Sequence, residues 1–355
     1  MLRPISVLIL LLLATVFVPE PFELRDSEIV SSTEEGNATL GWVMSVGGFN
    51  EDWINDIVPL ANDTVAIGGA FVSSILIGEN GHDSSQICET GSCNDKDGFI
   101  AFSNESNEWN FSIGFGSSGV DQVDSIAMLS DGDLIVGGSY CLGSAGIGCN
   151  MTLGELPTLS KEETEDEGNA FLARYDMELG WIWAISIGNS NDLFVLDLYV
   201  DIYDTIHASV FFRDILDIDG TIFLGSSEPG IALMMFDENG VLESGHTAMS
   251  DLGIDPFGGF CQNSVGETFL ALTFVGEISF EESGSAESIG GSDIVVAKYN
   301  QDDWQWFQHA GGESDDRTYG CIPGNDQSIQ VYGNFDGNAT FGNEYTGPSQ
   351  WVDGY

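Results

Sequence analysis

"DWINDIVPLANDTVAIGGAF" at residues 52–71 and "DQVDSIAMLSDGDLIVGGSY" at 121–140 are two copies of one pattern. Each opens on Asp, runs through a hydrophobic strand, turns on polar residues and closes with a second strand ending in an aromatic. Nineteen residues separate the Asp from the aromatic in both, and "DLFVLDLYVDIYDTIHASVF" (192–211) keeps that distance. "DLGIDPFGGFCQNSVGETFLALTF" (251–274) and "DDRTYGCIPGNDQSIQVYGNF" (315–335) vary it slightly. The closing aromatics Phe71, Tyr140, Phe211, Phe274 and Phe335 are spaced by 69, 71, 63 and 61 residues. A long, nearly fixed period is the mark of a supersecondary unit that buries its faces against its neighbours.

Two further strands flank each copy. One is "GWVMSVGG" (41–48), "EWNFSIGF" (108–115), "GWIWAISIG" (180–188), a degenerate "VLESGHTA" (241–248) and "WQWFQHAGG" (304–312). The other is "DGFIAFS" (97–103), "NAFLARYD" (169–176), "GIALMMFD" (230–237) and "DIVVAKYN" (293–300). The unit therefore reads as four short strands joined by Gly, Asn and Asp turns such as "DENG" (237–240). Helical periodicity is nearly absent, and "KEETEDE" (161–167) reads as a solvated loop insertion. Strands such as "DLIVGG" and "DIVVAKY" are apolar on both faces, so each small sheet must be covered on both sides. These features predict an all-β chain, a β-propeller of about five recognisable four-stranded blades. A linear array of small β domains is the competing architecture. The approximate units are 41–96, 97–168, 169–229, 230–291 and 292–350, with the start of a further unit at 351–355.

The run "DIVVAKYN … WQW … GG … D … GNFDGNATFG" at 293–342 resembles the β-propeller repeat often called SBBP, found in exported bacterial and archaeal proteins. The fifth unit matches best, the first two well, the third and fourth loosely, and the likeness covers about residues 41–355. It implies a fold and no shared catalytic residues. Long cysteine-containing loops and extreme acidity depart from that pattern. At the end of the chain, Asp353-Gly354-Tyr355 matches Asp97-Gly98-Phe99 and the "DIV" at 293–295. The expectation from this truncated copy is a ring that is incomplete or poorly closed at the C-terminus.

The charge narrows the partners. Fifty-seven Asp and Glu against 8 Lys and Arg give −49, a field that repels nucleic acid and anionic lipid head groups. Such a surface suits salty water or a calcium-rich exterior. One positive charge precedes about fourteen apolar residues from Ile5 to Val18, too few for a membrane span of roughly twenty. Residues 1–20 are expected to be a signal peptide or an N-terminal anchor, and 21–40 a linker, with no further membrane insertion. Six cysteines in an exported chain predict disulfides. Cys88 pairs with Cys93 inside "CETGSC" and Cys141 with Cys149 inside "CLGSAGIGC", which leaves Cys261 and Cys321 at nearly equivalent places in neighbouring units. Facing strands of adjacent blades are the expected setting for that third bond, with two buried free thiols as the alternative. Sequons at Asn37, Asn62, Asn104, Asn110, Asn150 and Asn338 agree with an extracellular or cell-surface location.

Motifs with chemistry are few. "GFGSSG" (114–119) matches GxGxxG, but a strand follows it, so a turn is expected. His82, His207, His246 and His309 fall in different units; His207 reads as a hydrogen-bonded strand histidine, and His246 and His309 as surface or strand residues rather than a metal-binding pair. Trp42, Trp109, Trp181, Trp183, Trp304 and Trp306 recur at one point of the unit, as packing residues do. Calcium is the one cofactor with a case. "NDKDG" (94–98) and "DILDIDG" (214–220) place carboxylates two apart before a Gly, which nominates Asp95, Asp97, Asp217 and Asp219 as oxygen ligands. The resulting expectation is an exported, non-enzymatic binding or scaffolding module that engages protein or polysaccharide through loops at 72–96, 141–168 and 275–291. The alternatives are a glycan-active hydrolase or lyase using carboxylates at the propeller channel, and a passive spacer or adhesion module of a larger surface protein.

Overall fold

Strands of alternating inward and outward residues can bury both faces only if a neighbour lies on each side, and this requirement organises the molecule. The computed structural model describes residues 43–84, 96–143, 149–160, 169–188, 191–213, 215–218, 221–224, 229–263, 265–300, 303–323, 328–341, 344–345 and 352–354. Everything below concerns the unit Val46–Tyr355.

The first meander contains β1 (Asp52–Pro59), β2 (Val65–Val72), β3 (Lys96–Ser103) and β4 (Trp109–Phe115). The second contains β5 (Val120–Met128), β6 (Leu134–Leu142), β7 (Asn169–Asp176) and β8 (Gly180–Ile187). The third contains β9 (Asn191–Val200), β10 (Ile206–Arg213), β11 (Gly230–Phe236) and β12 (Leu242–Ser250). The fourth contains β13 (Gly253–Gln262), β14 (Thr268–Ser279), β15 (Ser285–Tyr299) and β16 (Trp304–Gly312). A fifth sheet joins β17 (Arg317–Pro323), β18 (Ile329–Asp336) and β19 (Val352–Gly354). Within each meander successive strands pair antiparallel; in addition Met249–Ser250 pair with Ile278–Ser279 and join the third meander edge to edge with the fourth, Gly47–Gly48 pair with Ile75–Leu76, and Ala310–Gly312 pair with Ala339–Phe341. The described elements are strands and two short 3-10 turns.

The all-β expectation is met. The hydrogen-bonded sheets are two strands out of phase with the units marked off by sequence recurrence: β3 and β4 belong with the β1–β2 hairpin that precedes them. A periodic pattern has no intrinsic starting point, and backbone pairing supplies one. Phe71 lies opposite Asp97, Phe274 opposite Asp293 and Phe335 opposite Asp353, so the alignment of "VDGY" with the earlier copies is reproduced in register. In the third meander the equivalent place, opposite Gly230, belongs to Phe212 and not to Phe211. Two adjacent phenylalanines leave that choice open until the pairing is known.

Period-two alternation sends each inner strand into two cores. In β11, Ala232, Met234 and Phe236 join Leu172 and Ile187 of the second meander, whereas Ile231, Leu233 and Met235 join Leu270, Val295 and Trp304 of the fourth. In β3, Ile100 and Phe102 pack with Val136 and Phe171 of the second meander. Phe99 and Ala101 face the other way, toward Ile75 and Ile77 of a short ribbon that covers the first sheet. Burial of each such side chain contributes roughly 1.5–3 kcal/mol, which explains why β2, β6 and β11 carry almost no polar residue.

Candidate functional site at the convergence of the first strands

The first strand of each meander carries a β-bulge. The register shifts between Ile54 and Asp56, between Val123 and Ser125, between Val195 and Asp197, between Asp255 and Gly258, and between Thr318 and Gly320. A bulge adds one residue to one strand and turns side chains away from the ladder. All five bulged segments line one polar pocket of about 250 Å³, with Asn55, Asp56, Asp124, Asp197, Gly259, Tyr319 and Gly320 in its wall.

The polar side chains of this pocket reach the backbone of the next sheet. Asn55 Nδ2 donates to the Val123 carbonyl at 2.7 Å, and Asp56 Oδ2 accepts from Ile126 N and Ser125 Oγ, each at 2.8 Å. One sheet further on, Asp124 bonds the backbone at Val195 and Ser125 Oγ accepts from Leu198 N at 3.1 Å. Asp197 Oδ2 then accepts from Phe260 N at 2.7 Å. Equivalent positions thus repeat the same bond from meander to meander. Gly259 and Gly320 hold this place in the last two sheets. An added Cβ on Gly259 would stand 2.9 Å from Asp197 Oδ2 and 3.8 Å from the Gly320 Cα, so the packing there leaves little room for a side chain.

Burial pushes Asp124 and Asp197 up to about 7, and the neighbouring Asp56 adds to the rise at Asp197. Asp56 is raised by the same burial, moderated by its three hydrogen bonds. Lys96 lies above the Trp53 ring at 4.3 Å and donates to Gln122 Oε1 at 2.6 Å, and burial lowers its pKa although Asp124 opposes this.

Near the start of three repeats an Asp has a different task. Gly48 N donates to Asp52 at 2.6 Å, Ser117 N to Asp121 at 2.6 Å, and Gly312 N to Asp316. Each carboxylate fastens the link between the last strand of one sheet and the first strand of the next. Burial raises Asp121 to about 7 and Asp316 to about 6, and Asp97 and Asp293 respectively add to it as neighbouring carboxylates.

The residues nominated from sequence separate. Asp97 is 3% exposed beside Asp121, so it belongs to a sheet junction. Asp95, Asp219 and the side chain of Asp217 lie outside the described residues. No group of three or more His, Cys, Asp or Glu placed to hold a metal occurs among the described residues. "GFGSSG" is the turn between β4 and β5, closed by Ser117 on Asp121. The histidines have individual partners: His82 with Ser112 at 2.8 Å, His207 with Tyr299 at 3.1 Å, His246 with Glu281 at 3.5 Å and His309 with Asp293 at 2.6 Å. Trp304 is buried against Phe280, and Trp181 meets Phe115 edge-on, as packing residues should, while Trp306 is half exposed. Trp42 falls outside the described residues.

Cys141–Cys149 and Cys261–Cys321 are disulfides with Cα separations of 5.9 and 5.5 Å. The second joins β13 to β17, the facing first strands of adjacent sheets. Cys88 and Cys93 lie outside the described residues. Among the sequons, Asn62, Asn110, Asn150 and Asn338 are exposed and Asn104 is half buried in a turn, whereas Asn37 is outside the described residues. No described helix is long and apolar enough to cross a membrane. No protein-family model matches the sequence, and no curated protein matches it either.

Proposed function

We propose that the chain is an exported, propeller-type scaffold of the SBBP kind that binds protein or polysaccharide through its inter-strand loops and performs no chemistry of its own. The observation that carries this reading is the commitment of the axial polar groups. Asp56, Ser125 and Asp197 each accept a backbone N–H of the adjoining sheet, which is what a rigid hub requires and what a catalytic carboxylate avoids. First strands converging on one pocket, with sheets stacked on both faces, support the propeller arrangement. The two disulfides support an oxidising compartment such as the cell exterior.

The test is a protein and glycan array probed with the full chain and with a variant whose 161–168 segment is replaced by Gly and Ser. Loss of a specific signal in the variant supports the loop reading. Turnover of a glycoside panel that disappears on a single Asp or Glu substitution at the axial pocket overturns the non-enzymatic one. Calcium is a second reading, favoured by the buried carboxylates of Asp97 and Asp121 beside Gly116. Added calcium then raises the melting midpoint and EDTA lowers it, and an unchanged midpoint refutes the site.

A further inference from the structure

A second concavity, about 490 Å³, lies between the third and fourth meanders, away from the axial pocket and the loops. Its walls are two turns, the ends of β15 and β16, and His207 and Met235 of the third meander. Asp201 Oδ1 accepts from Tyr203 N and Thr205 N at 2.8 and 2.9 Å, and Asn263 Oδ1 accepts from Val265 N and Glu267 N at 3.1 and 3.0 Å. Each turn is therefore held by its own side chain and needs no ligand to form.

The charges in the groove are matched in pairs. Lys298 Nζ meets Glu267 at 2.5 Å, and His207 lies between Asp201 at 3.4 Å and the Tyr299 hydroxyl at 3.1 Å. Beside these paired charges the groove offers neutral groups: the Tyr203 ring, 82% exposed, the Thr205 hydroxyl and the Gln305 amide, whose Nε2 also donates to the Asp303 carbonyl at 3.1 Å. A flat aromatic beside neutral donors and acceptors is the chemistry that holds a sugar, whose ring stacks through C–H groups while its hydroxyls take the hydrogen bonds. The volume falls within the roughly 300–1,000 Å³ of small-molecule sites. An anionic ligand is opposed by the −49 chain, and a cation finds both carboxylates already engaged.

We propose that this groove binds an uncharged oligosaccharide, with Tyr203 as the stacking platform and Gln305 and Thr205 as hydrogen-bond partners. The proposal gives a ligand class to the binding role argued above, at a place distinct from the loops. The experiment is saturation-transfer NMR and calorimetry on the full chain with maltotriose, cellotriose, xylotriose and mannotriose, and with trigalacturonate as the anionic control. At least one neutral trisaccharide is expected to bind, and Tyr203→Ala and Gln305→Ala are each expected to weaken it at least about tenfold, with melting midpoints unchanged. Tyr203→Phe keeps most of the affinity, because the ring and not the hydroxyl does the stacking. Failure of all four neutral sugars at millimolar concentration overturns the proposal, as does binding that survives both alanine variants. The loop-replaced chain separates the two ideas: sugar binding retained there leaves the groove standing even when the array shows no loop-dependent partner.

Discussion

Asp197 accepts backbone hydrogen bonds from both Leu198 and Phe260, so removing its carboxylate leaves the Phe260 N–H without that acceptor and Leu198 N with Ser125 Oγ alone. Asp197→Ala is expected to cost about 1–3 kcal/mol in denaturant unfolding, and Asp197→Asn clearly less, because the amide oxygen still accepts one bond. Equal losses in the two variants would show that packing, not hydrogen bonding, sets the cost. The buried carboxyls also define a pH response. Asp121, Asp124 and Asp197 rise to about 7 and Asp316 to about 6 from 3.8, and burial is the leading cause in each. Between about pH 4 and 7 the folded chain then holds more protons than the unfolded one, so stability falls as pH rises through that window. The melting midpoint should be several degrees higher at pH 5.5 than at pH 8, the reverse of ordinary acid denaturation. A midpoint that climbs toward pH 8 refutes protonated junction carboxyls.

Strands are where glycine decides the outcome. In β6, a Cβ on Gly138 would overlap the Gln122 carbonyl oxygen across the ladder, and one on Gly69 in β2 would overlap that of Trp53. Both sit beside the bulge, so the paired "GG" of "VAIGGAF" and "LIVGGSY" is the imprint of a close backbone approach. Gly138→Ala is expected to cost about 3 kcal/mol or more in thermal or urea unfolding. Gly132→Ala costs only about 1 kcal/mol, since that turn glycine has φ +100° and open space around it. Similar penalties at both positions would remove the bulge from the account. The strands themselves were legible because their apolar runs and turn residues are local signals. The stitching residues Asn55, Asp56, Asp124 and Ser125 stand in the same quoted stretches, with nothing local to single them out. Their meaning depends on partners about 70 residues away, which no local pattern encodes. Phe212 was missed for the same kind of reason, as only pairing with Gly230 distinguishes it from Phe211.

Across the whole molecule, the same bond passes from the first sheet to the fourth and then changes character. Asp56, Ser125 and Asp197 tie each meander to the next, but Gly259 and Gly320 carry no side chain to continue the series. At that junction the Cys261–Cys321 bond stands in, packed with Phe269, Ala271, Ile329 and Val331, and Thr318 N adds one bond to Thr273 Oγ1 at 3.0 Å. A covalent link across a 60-residue separation stabilises by roughly 2–4 kcal/mol. Its removal should act locally, because the first three junctions keep their hydrogen bonds. Under native conditions, Cys261→Ala/Cys321→Ala is expected to expose 317–354 to limited proteolysis while 52–250 stays protected, as peptide mass mapping would show. Cys141→Ala/Cys149→Ala, whose bond closes a loop after β6, should leave the fifth sheet as resistant as in the parent chain. If the fifth sheet remains as protected as the first after the Cys261–Cys321 bond is lost, the disulfide is not what holds it, and the Thr273–Thr318 contact and apolar packing must suffice.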